Sequence, residues 1–473
     1  MKPVVMKFGG TSVEDAPAIL GVARIVQSRI DRGQRPVVVV SALAKVTDQL
    51  LTAGKAAGRG DRNGALAISS RLRNRHCDTS ALLLSDHRRS PLQSWIQQEF
   101  ESLDEILRGL SAVGELTART NDLVVSFGER ISSRLVAEVF AEQGMPAGHI
   151  DARTCIVTDA QHGKGTPNSA LIEARCAQHL QPMVDAGQLP VMGGFIASTL
   201  EGATTTLGRG GSDYTAALVG GAMDAEAIEI WTDVNGIMTA DPRVCPDALR
   251  VKTISFEEAA ELAYFGAKVL HPATILPAVQ KNIPVLVLNS RNPENEGTRI
   301  TALATQCGSP FKSIAAKKRL TIVDLVASRM LLSHGYLRAV FEVFDKHKCA
   351  VDMVSTSEVS ISLTVDSNDH LPELAAELSK LADVTYEGRK ALICLVGGNI
   401  RGQNGIAAQV FHAVRHINVR MISQGASEIN MSFMIDEDDV DEAVRSLHAA
   451  FFVDPDPDIF DITARKAIES VHL

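Results

Sequence analysis

Four consecutive valines, Val37–Val40, form the segment of this 473-residue chain that most restricts its fold. An unbroken β-branched run suits a strand that is buried on both faces, as in a parallel sheet. Val4–Met6 has the same character, and a helix-like run, 16–32, separates the two. Strand-like runs recur at 227–233 and 283–288, with helix-compatible sequence between them. The alternation predicts an α/β fold: a mainly parallel central sheet with helices on both faces.

Ligands of such sheets bind at the carboxyl ends of the strands. The first strand runs into Lys7-Phe8-Gly9-Gly10-Thr11-Ser12, and the valine strand ends at Ser41. A lysine beside two glycines places an ammonium group and free backbone amides where a phosphate can bind. The alternative is a tight turn with a solvated lysine. Neither G-x-x-x-x-G-K-[ST] nor G-x-G-x-x-G occurs, so any phosphate site must be built in another way.

The segment Thr204–Asp213 combines threonines, glycines, one arginine and one aspartate within ten residues. It follows an apolar run, 190–196, and precedes a helix-compatible run, 214–221. Glycines let backbone amides approach a ligand, and a helix N-terminus offers free N–H donors to an anion. Arg209 can form two hydrogen bonds to a carboxylate or a phosphate. The segment therefore predicts an anion site without deciding between these two ligands.

Three further motifs each have a functional and a structural interpretation. Glu129 could bind an ammonium group, or it could be an acid in the first turn of a helix that begins near it. The turn-rich segment 231–243 could carry a nucleotide or be a plain loop. Lys268 could supply a second positive charge for phosphoryl transfer or be a solvated helix lysine. His271 is expected to pack or cap, because Pro272 marks a helix end.

Composition excludes several classes of protein. The net charge of −9 argues against nucleic acid or an anionic membrane as the main partner. No run of about 18 apolar residues predicts a membrane span, and the start of the chain, 1–7, does not resemble a signal peptide. Seven scattered cysteines without a C-x-x-C pair indicate neither a disulfide framework nor a zinc site. We expect a cytoplasmic protein.

The C-terminal part contains an internal repeat. Residues 335–366 align with 405–436 at a constant offset, and each copy has a glycine turn, an amphipathic helix and a strand. Turn-forming residues at 290–312 precede the repeat and predict the main domain boundary. The acidic, proline-containing segment 454–458 predicts a stiff linker, followed by a helix-like stretch at 462–471.

Together the motifs resemble the aspartate kinases of the amino acid kinase family. The matching segments, in the order and spacing of that family, are 7–13, Ser41, Thr47, 128–129, 208–213, 232–233, 241–243 and 265–272. The repeat resembles the paired ACT domains of these enzymes, which are α+β modules of the ferredoxin-like type. The resemblance implies a catalytic domain at 1–295, ACT domains at 313–385 and 390–453, and a linker with a tail at 454–473.

The resemblance also implies an activity: ATP, with Mg²⁺, phosphorylates the β-carboxylate of L-aspartate to give 4-phospho-L-aspartate, the first step toward lysine, threonine and methionine. Lys7 and Lys268 would stabilise charge on the transferred group, and Asp213 would orient these lysines or the Mg²⁺ ion. No general base is needed, because the β-carboxylate is ionised near pH 7. The implied substrate contacts are Ser41, Thr47, Glu129, Arg209 and Ser212, and the implied ATP contacts are Lys7, Gly9, Gly10, Thr232, Asp233, Met238, Arg243 and Lys268.

The first ACT-like copy resembles the lysine-sensitive bacterial branch, which implies lysine feedback and a homodimer, or a dimer of dimers, through these modules. A bound lysine brings a side-chain ammonium group, for which Asp352 and Glu358 supply carboxylates; alternatively, one of them bonds only backbone amides. The implied effector contacts are Met330, Ser333, Gly335, Tyr336, Leu337, Asp352, Thr356, Ser357, Glu358 and Val359.

Two rival functions stay open from the sequence: a kinase for glutamate, acetylglutamate or carbamate, and a catalytically silent amino-acid sensor. Lys7, Arg209, Asp213 and Lys268 argue against the sensor, and the repeat argues against the simpler kinases. Two positions depart from the family pattern. Met238 stands where a tyrosine is common near the adenine, and Lys45 lies in a loop that often bears glycine.

Overall fold

A computed structural model describes residues 2–266, 274–303, 310–327, 334–366, 370–425 and 427–463. Lys268, His271, Met330, Ser333 and the helix-like stretch beyond 463 lie outside the described residues. The chain divides into two compact units. The first comprises Met1–Gly236 and Val269–Ala304, and the second comprises Ile237–Lys268 and Thr305–Leu473. The domain limits inferred from the sequence stay a prediction.

The first unit has the predicted alternation of strands and helices, here numbered along the whole chain. Its strands are β1 (Val4–Phe8), β2 (Pro36–Val40), β3 (Ala147–Ile150), β4 (Leu189–Gly193), β5 (Ile196–Ser198), β6 (Thr204–Thr206), β7 (Ala227–Thr232), β10 (Val285–Asn289) and β11 (Thr298–Thr301). Its helices are α1 (Ala16–Asp31), α2 (Val46–Gly58), α3 (Arg62–Leu83), α4 (Asp86–Val113), α5 (Ala118–Glu142), α6 (Ser169–His179), α7 (Gln181–Asp185), α8 (Gly211–Ala222) and α10 (Leu276–Lys281).

The central sheet of this unit runs in the order β3-β4-β2-β1-β7-β10-β11. All of these pairs are parallel except β10 with β11. Both β1 and β2 are buried along their full lengths, as the apolar runs predict. Since Lys7 lies opposite Val39 and Ile230 near the ends of three parallel strands, its side chain stands at the carboxyl edge of the sheet.

Two details differ from the sequence-based expectations. The apolar run at 190–196 is divided between β4 and β5, because Phe195 adopts a left-handed conformation with φ 66°. The helix that carries Glu129 begins at Ala118, with Thr117 as its N-cap. Glu129 therefore lies in the middle of α5, and the interpretation as an acid in the first helical turn is wrong.

The second unit contains an antiparallel sheet in the order β13-β14-β12-β15-β17-β16. These strands are β12 (Ser313–Val326), β13 (Val351–Thr356), β14 (Ser360–Asp366), β15 (Asp383–Val396), β16 (Met421–Gln424) and β17 (Asn430–Asp436). The helices are α9 (Phe256–Tyr264), α11 (Tyr336–Lys346), α12 (Leu371–Leu378), α13 (Ile406–Ala413) and α14 (Val440–Phe451). Short strands β8 (Arg250–Val251), β9 (Thr253–Ser255) and β18 (Phe460–Asp461) complete this unit.

The internal repeat is visible in the second unit. Gly335 and Gly405 are the N-caps of α11 and α13, and both are left-handed, with φ 80° and 76°. The strands β14 and β17 occupy equivalent positions in the two copies. The two copies thus share one order of elements: a glycine cap, a helix and a strand pair. Of the helices that the structure describes, none is long and apolar enough to cross a membrane.

Candidate active site

A pocket of the first unit opens at the carboxyl ends of β1 and β2. Four parts of the chain meet there: the strand-end motif at Lys7, the loop after β2, the middle of α5 and the glycine-rich start of α8. The lining residues are Lys7, Gly10, Ser41, Ala42, Leu43, Ala44, Lys45, Thr47, Asp48, Glu129, Phe195, Gly208, Gly210, Gly211, Ser212 and Asp213.

Lys7 and Asp213 form an ion pair in this pocket, with Nζ 2.6 Å from Oδ1. Both side chains are largely shielded from solvent, with exposed fractions of 11% and 15%. Asp213 lies in the first turn of α8, where the helix dipole stabilises a carboxylate. The carboxylate consequently fixes the position of the Lys7 ammonium at the sheet edge. Gly9 lies beside this pair, because a Cβ there would be 3.6 Å from Lys7 Nζ.

Glu129 reaches the same pocket from α5 and is almost fully buried. Its Oε1 accepts a hydrogen bond of 3.3 Å from the backbone N–H of Ala42. Its Oε2 is buried and has no hydrogen-bond partner among the described residues. Burial raises the pKa of this carboxyl group to about 8, and the bond from Ala42 opposes the rise only in part. An unpartnered carboxyl oxygen in a pocket fits the ammonium group of a ligand.

The glycine-rich segment forms a tight turn between β6 and α8. Gly208 and Gly210 have φ 75° and 71°, which only glycine adopts readily. A Cβ on Gly211 would lie 2.7 Å from Phe195 Cδ2, so the turn packs closely against the chain that precedes it. Ser212 and three of the glycines line the pocket. Arg209 is exposed and does not line the pocket in this conformation.

Asp122 holds this turn in place, and the sequence motifs did not single it out. Its buried carboxylate accepts hydrogen bonds from Thr206 Oγ1 at 2.7 Å, from Gly163 N at 2.8 Å and from His162 Nδ1 at 3.1 Å. Asp122 and Glu129 are two helical turns apart on one face of α5. That spacing of two acids is the only sequence signal that could have identified Asp122.

The loop after β2 is fixed by hydrogen bonds from three directions. Ser41 N donates to Phe8 O at 3.0 Å, and Ser132 Oγ donates to Ser41 O at 2.7 Å. An Arg75 guanidinium N–H donates to Ala44 O at 2.8 Å. The loop leads into α2, whose first turn places Thr47 at the pocket. The structure thus brings together in one pocket six of the residues that the sequence suggests for the site: Lys7, Ser41, Thr47, Glu129, Ser212 and Asp213. Their roles toward a substrate stay a prediction.

The candidate nucleotide contacts are distributed over both units. In the first unit, Thr232 ends β7 and donates from Oγ1 to Asp233 Oδ1 at 3.2 Å. In the second unit, Arg243 is exposed and pairs with Asp241, NH2 to Oδ2, at 2.6 Å. Met238 O accepts a hydrogen bond of 2.7 Å from Ser313 Oγ. Their role toward a nucleotide stays a prediction.

The candidate effector region lies in the second unit, around the end of β12, the start of α11 and the β13–β14 hairpin. The Asp352 carboxylate is buried and accepts two hydrogen bonds, from Lys317 Nζ at 2.7 Å and from Tyr264 OH at 2.8 Å. This carboxylate therefore already binds an ammonium group of the protein itself. Glu358 is exposed on the hairpin turn, where Ser357 Oγ accepts from the Val359 and Ser360 amides.

The ability of the site to hold a divalent cation rests on oxygen ligands. The part of the chain that the structure describes contains no group of three or more His, Cys, Asp or Glu side chains arranged as a metal site. Mg²⁺ commonly binds through one or two carboxylates together with substrate phosphates. Asp213 supplies one such carboxylate beside Lys7, which fits an ion that arrives with a nucleotide.

Family models match two parts of the chain. A family model described as the amino acid kinase family matches residues 2–289, and an ACT domain model matches residues 393–451. The chain is 39% identical over 463 residues to the chloroplastic aspartokinase 3 of Arabidopsis thaliana, covering 95% of this chain and 81% of the relative. It is 38% identical over 468 residues to the lysine-sensitive aspartokinase 3 of Escherichia coli (strain K12), covering 95% and 99% of the two chains.

Two solved structures of E. coli aspartokinase III are similar along nearly the whole chain. One, in complex with aspartate and ADP in the R-state, has a TM-score of 0.83 at 36% identity, covering 95% of this chain and all of that one. The other, in complex with lysine and aspartate in the T-state, has a TM-score of 0.80 at 36% identity, covering 96% of this chain and all of that one.

Proposed function

The chain belongs to the amino acid kinase family and, within it, to the aspartokinases, and we propose that it transfers the γ-phosphoryl group of ATP to the β-carboxylate of L-aspartate. The products are 4-phospho-L-aspartate and ADP. The aspartokinases reported above are similar in sequence to almost the whole length of the chain. A solved structure of similar fold contains aspartate and ADP. The reaction is the first step toward lysine, threonine and methionine.

This function is supported most directly by one pocket that can bind two different groups, an ammonium group and a phosphoryl group. The buried, unpartnered Oε2 of Glu129 suits the α-ammonium group of an amino acid. The Lys7–Asp213 pair at the sheet edge suits a phosphoryl group. An amino acid held by Glu129 would present its other end to the group that Lys7 stabilises.

We assign the remaining substrate contacts to the walls of the pocket. Arg209 binds a substrate carboxylate, because its long and exposed side chain can move onto a ligand above the turn. Ser41, Thr47 and Ser212 contribute hydroxyl groups from the pocket lining. The glycines of the turn let the substrate approach the backbone closely.

Charge stabilisation accounts for most of the catalysis that we propose. The β-carboxylate is the nucleophile and is already ionised, so no side chain has to remove a proton. Lys7 and Lys268 stabilise the negative charge on the transferred phosphoryl group. Asp213 keeps the Lys7 ammonium in place before the substrates arrive, so little reorganisation is needed in the transition state.

The nucleotide contacts are proposed as Lys7, Lys268 and six further residues: Gly9, Gly10, Thr232, Asp233, Met238 and Arg243. Mg²⁺ is proposed to enter with ATP and to neutralise phosphate charge, with Asp213 as the carboxylate that fits it. The methionine at 238 offers a softer contact to an adenine than an aromatic ring, so stacking there is expected to be weaker.

The second unit is proposed to bind lysine as a feedback inhibitor. A lysine-sensitive relative and a lysine-containing T-state structure support this assignment. The effector contacts are those inferred from the resemblance, from Met330 to Val359, with Asp352 and Glu358 as the carboxylates. Lysine would compete with Lys317 for the Asp352 carboxylate, since both offer an ammonium group. A homodimer or dimer of dimers through the repeat modules, and a cytoplasmic location, stay predictions.

The decisive experiment traps the acyl phosphate with hydroxylamine. The full chain is incubated with ATP, Mg²⁺ and either L-aspartate or L-glutamate, and the hydroxamates are quantified. We expect the hydroxamate of aspartate and only a trace of that of glutamate. A product from glutamate alone would identify a different amino acid kinase. The absence of any hydroxamate, with lysine binding retained, would identify a sensor without kinase activity.

A further inference from the structure

Lys45 lies at the mouth of the pocket, and neither the family resemblance nor the proposed reaction gives it a role. We propose that its ammonium group binds a carboxylate of the incoming aspartate. The proposal rests on the proposed function of the pocket and adds a substrate-binding residue to it. Three kinds of observation carry it: the charges that line the pocket, the conformation of Lys45, and the absence of a structural task for its side chain.

The side chains that line the pocket offer little unpaired positive charge to an anionic substrate. The lining carboxyl groups are Asp48, Glu129 and Asp213, and the lining cations are Lys7 and Lys45. Lys7 is already paired with Asp213. Aspartate carries two carboxylates and one ammonium group. Arg209, to which we assign one of these carboxylates, does not line the pocket in this conformation, so the lining itself offers the substrate only Lys7 and Lys45 as cations. Lys45 forms no ion pair with any residue that the structure describes, and its charge is therefore available to a ligand.

The backbone of Lys45 is left-handed, with φ 66° and ψ 2°, a conformation that is unfavourable for a residue with a Cβ. The neighbouring chain fixes this conformation. Arg75 donates to Ala44 O, and Val46 N donates to Leu43 O at 2.9 Å. Glycine would adopt this conformation at a lower backbone cost, so lysine is not the residue that the local conformation favours.

No structural task explains the side chain at this position. Lys45 is the N-cap residue of α2, but an ammonium group has no acceptor for the free N–H groups of the first turn, so the side chain does not cap the helix. It is exposed and contributes nothing to the buried core. Its position at the start of a 13-residue helix adds to its effect on an anion, because the free N–H groups of the first turn carry partial positive charge at the same place.

The test uses a substitution that should weaken aspartate binding without lowering the stability of the protein. In Lys45→Gly the charge is lost while the left-handed backbone becomes favourable. We expect KM for aspartate to rise about 5-fold, the range of one partly exposed ion pair, with KM for ATP changed by less than about 2-fold. The thermal midpoint should not fall. Lys45→Arg, which keeps the charge, should recover most of the affinity for aspartate.

A matched control removes another exposed lysine of the same helix. Lys55 lies in the last turn of α2 and does not line the pocket, so Lys55→Ala should leave KM for aspartate unchanged. Raising the ionic strength should reduce the difference between the parent and Lys45→Gly, because salt screens a charge at the pocket mouth. Titration of L-aspartate by calorimetry should show the same ratio of affinities as the KM values.

An unchanged KM and an unchanged calorimetric affinity for aspartate in Lys45→Gly would overturn the proposal while leaving the kinase function intact. An equal loss of affinity for aspartate in Lys45→Arg would also overturn the proposal, because the effect would then depend on the shape of the side chain and not on its charge. The proposed function fails in a distinguishable way, since the parent itself would then release no ADP in response to aspartate.

Discussion

The hydroxyl group of Tyr264 donates a hydrogen bond of 2.8 Å to Asp352 Oδ1. Tyr264 ends α9, and Asp352 lies on β13 in the candidate effector region. Lys317 Nζ, which bonds the other oxygen of the same carboxylate, lies 5.7 Å from the centre of the Tyr264 ring. Burial, and then the Asp352 carboxylate, raise the pKa of Tyr264 to about 12, so the hydroxyl stays protonated and remains a donor. The Asp352 carboxylate thus connects the candidate effector region to the end of α9.

Removing the Tyr264 hydroxyl should weaken the response to lysine. In Tyr264→Phe the ring is kept and only the bond to Asp352 is lost, so basal activity should be nearly unchanged. We expect the lysine concentration for half-inhibition to rise about 5-fold, which corresponds to about 1 kcal/mol of lost coupling. The measurement is a lysine inhibition curve at fixed ATP and aspartate.

Tyr386→Phe is the matched control, because Tyr386 is an exposed tyrosine of the same unit. Its inhibition curve should coincide with that of the parent. A Tyr264→Phe enzyme that responds to lysine as the parent does would show that the hydrogen bond only stabilises the fold.

The raised pKa of Glu129 should make aspartate binding depend on pH. With a pKa of about 8, much of the free enzyme carries a neutral carboxyl group at pH 7, whereas the substrate ammonium group needs the charged form. KM for aspartate should therefore fall as the pH rises from 6.5 to 8.5, while KM for ATP changes little. Glu129→Gln should raise KM for aspartate about 10- to 100-fold and abolish this trend. A parent enzyme with a flat KM profile across that range would contradict the assignment.

The same group predicts the pH dependence of stability. The folded pKa lies above the ordinary value of 4.5, so between about pH 4.5 and 8 the folded state binds more protons than the unfolded state. The contribution of Glu129 to the free energy of unfolding therefore falls as the pH rises through this window. Urea denaturation of the parent and of Glu129→Gln, without substrate, should show a smaller decrease in the variant.

Asp122 should act as a positioning residue for the turn that carries Arg209. Asp122→Asn keeps the size of the side chain but replaces one of the oxygens that accept from Thr206 and Gly163 with an amide donor. We expect KM for aspartate to rise about 5- to 10-fold, with a smaller change in KM for ATP.

Glu229→Gln provides a control of similar burial, because Glu229 bonds Arg29 and Trp231 and does not line the active-site pocket. The Glu229→Gln variant should have a lower thermal midpoint but no selective change in KM for aspartate. Equal changes in both KM values in Asp122→Asn would indicate that Asp122 stabilises the fold and does not position the turn.

The sequence predicts the parallel sheet and most of the pocket because both depend on local patterns. The valine run and the lysine at the end of β1 are short-range signals that the sheet brings together at one edge. Asp122 escapes such reasoning, since its partners at 162, 163 and 206 lie far away along the chain. The interpretation of Glu129 as an acid in the first helical turn is wrong for a related reason: the N-cap that starts the helix, Thr117, is well upstream of the motif.

The separate roles of Arg209 and Asp213 can be distinguished by kinetics. Arg209→Ala removes a proposed contact to a substrate carboxylate that exists before and during the reaction, so it should mainly raise KM for aspartate, by about 10- to 100-fold. Asp213→Asn weakens the hold on the Lys7 ammonium, which is needed most in the transition state. It should mainly lower kcat, by about 100-fold.

The two variants should also differ in stability. Because the Arg209 side chain is exposed and the Asp213 carboxylate is paired with Lys7 at 2.6 Å, only Asp213→Asn should lower the thermal midpoint. Steady-state kinetics with each substrate varied in turn decides the assignment. The opposite pattern, a kcat effect at Arg209 and a KM effect at Asp213, would mean that the two residues have exchanged roles.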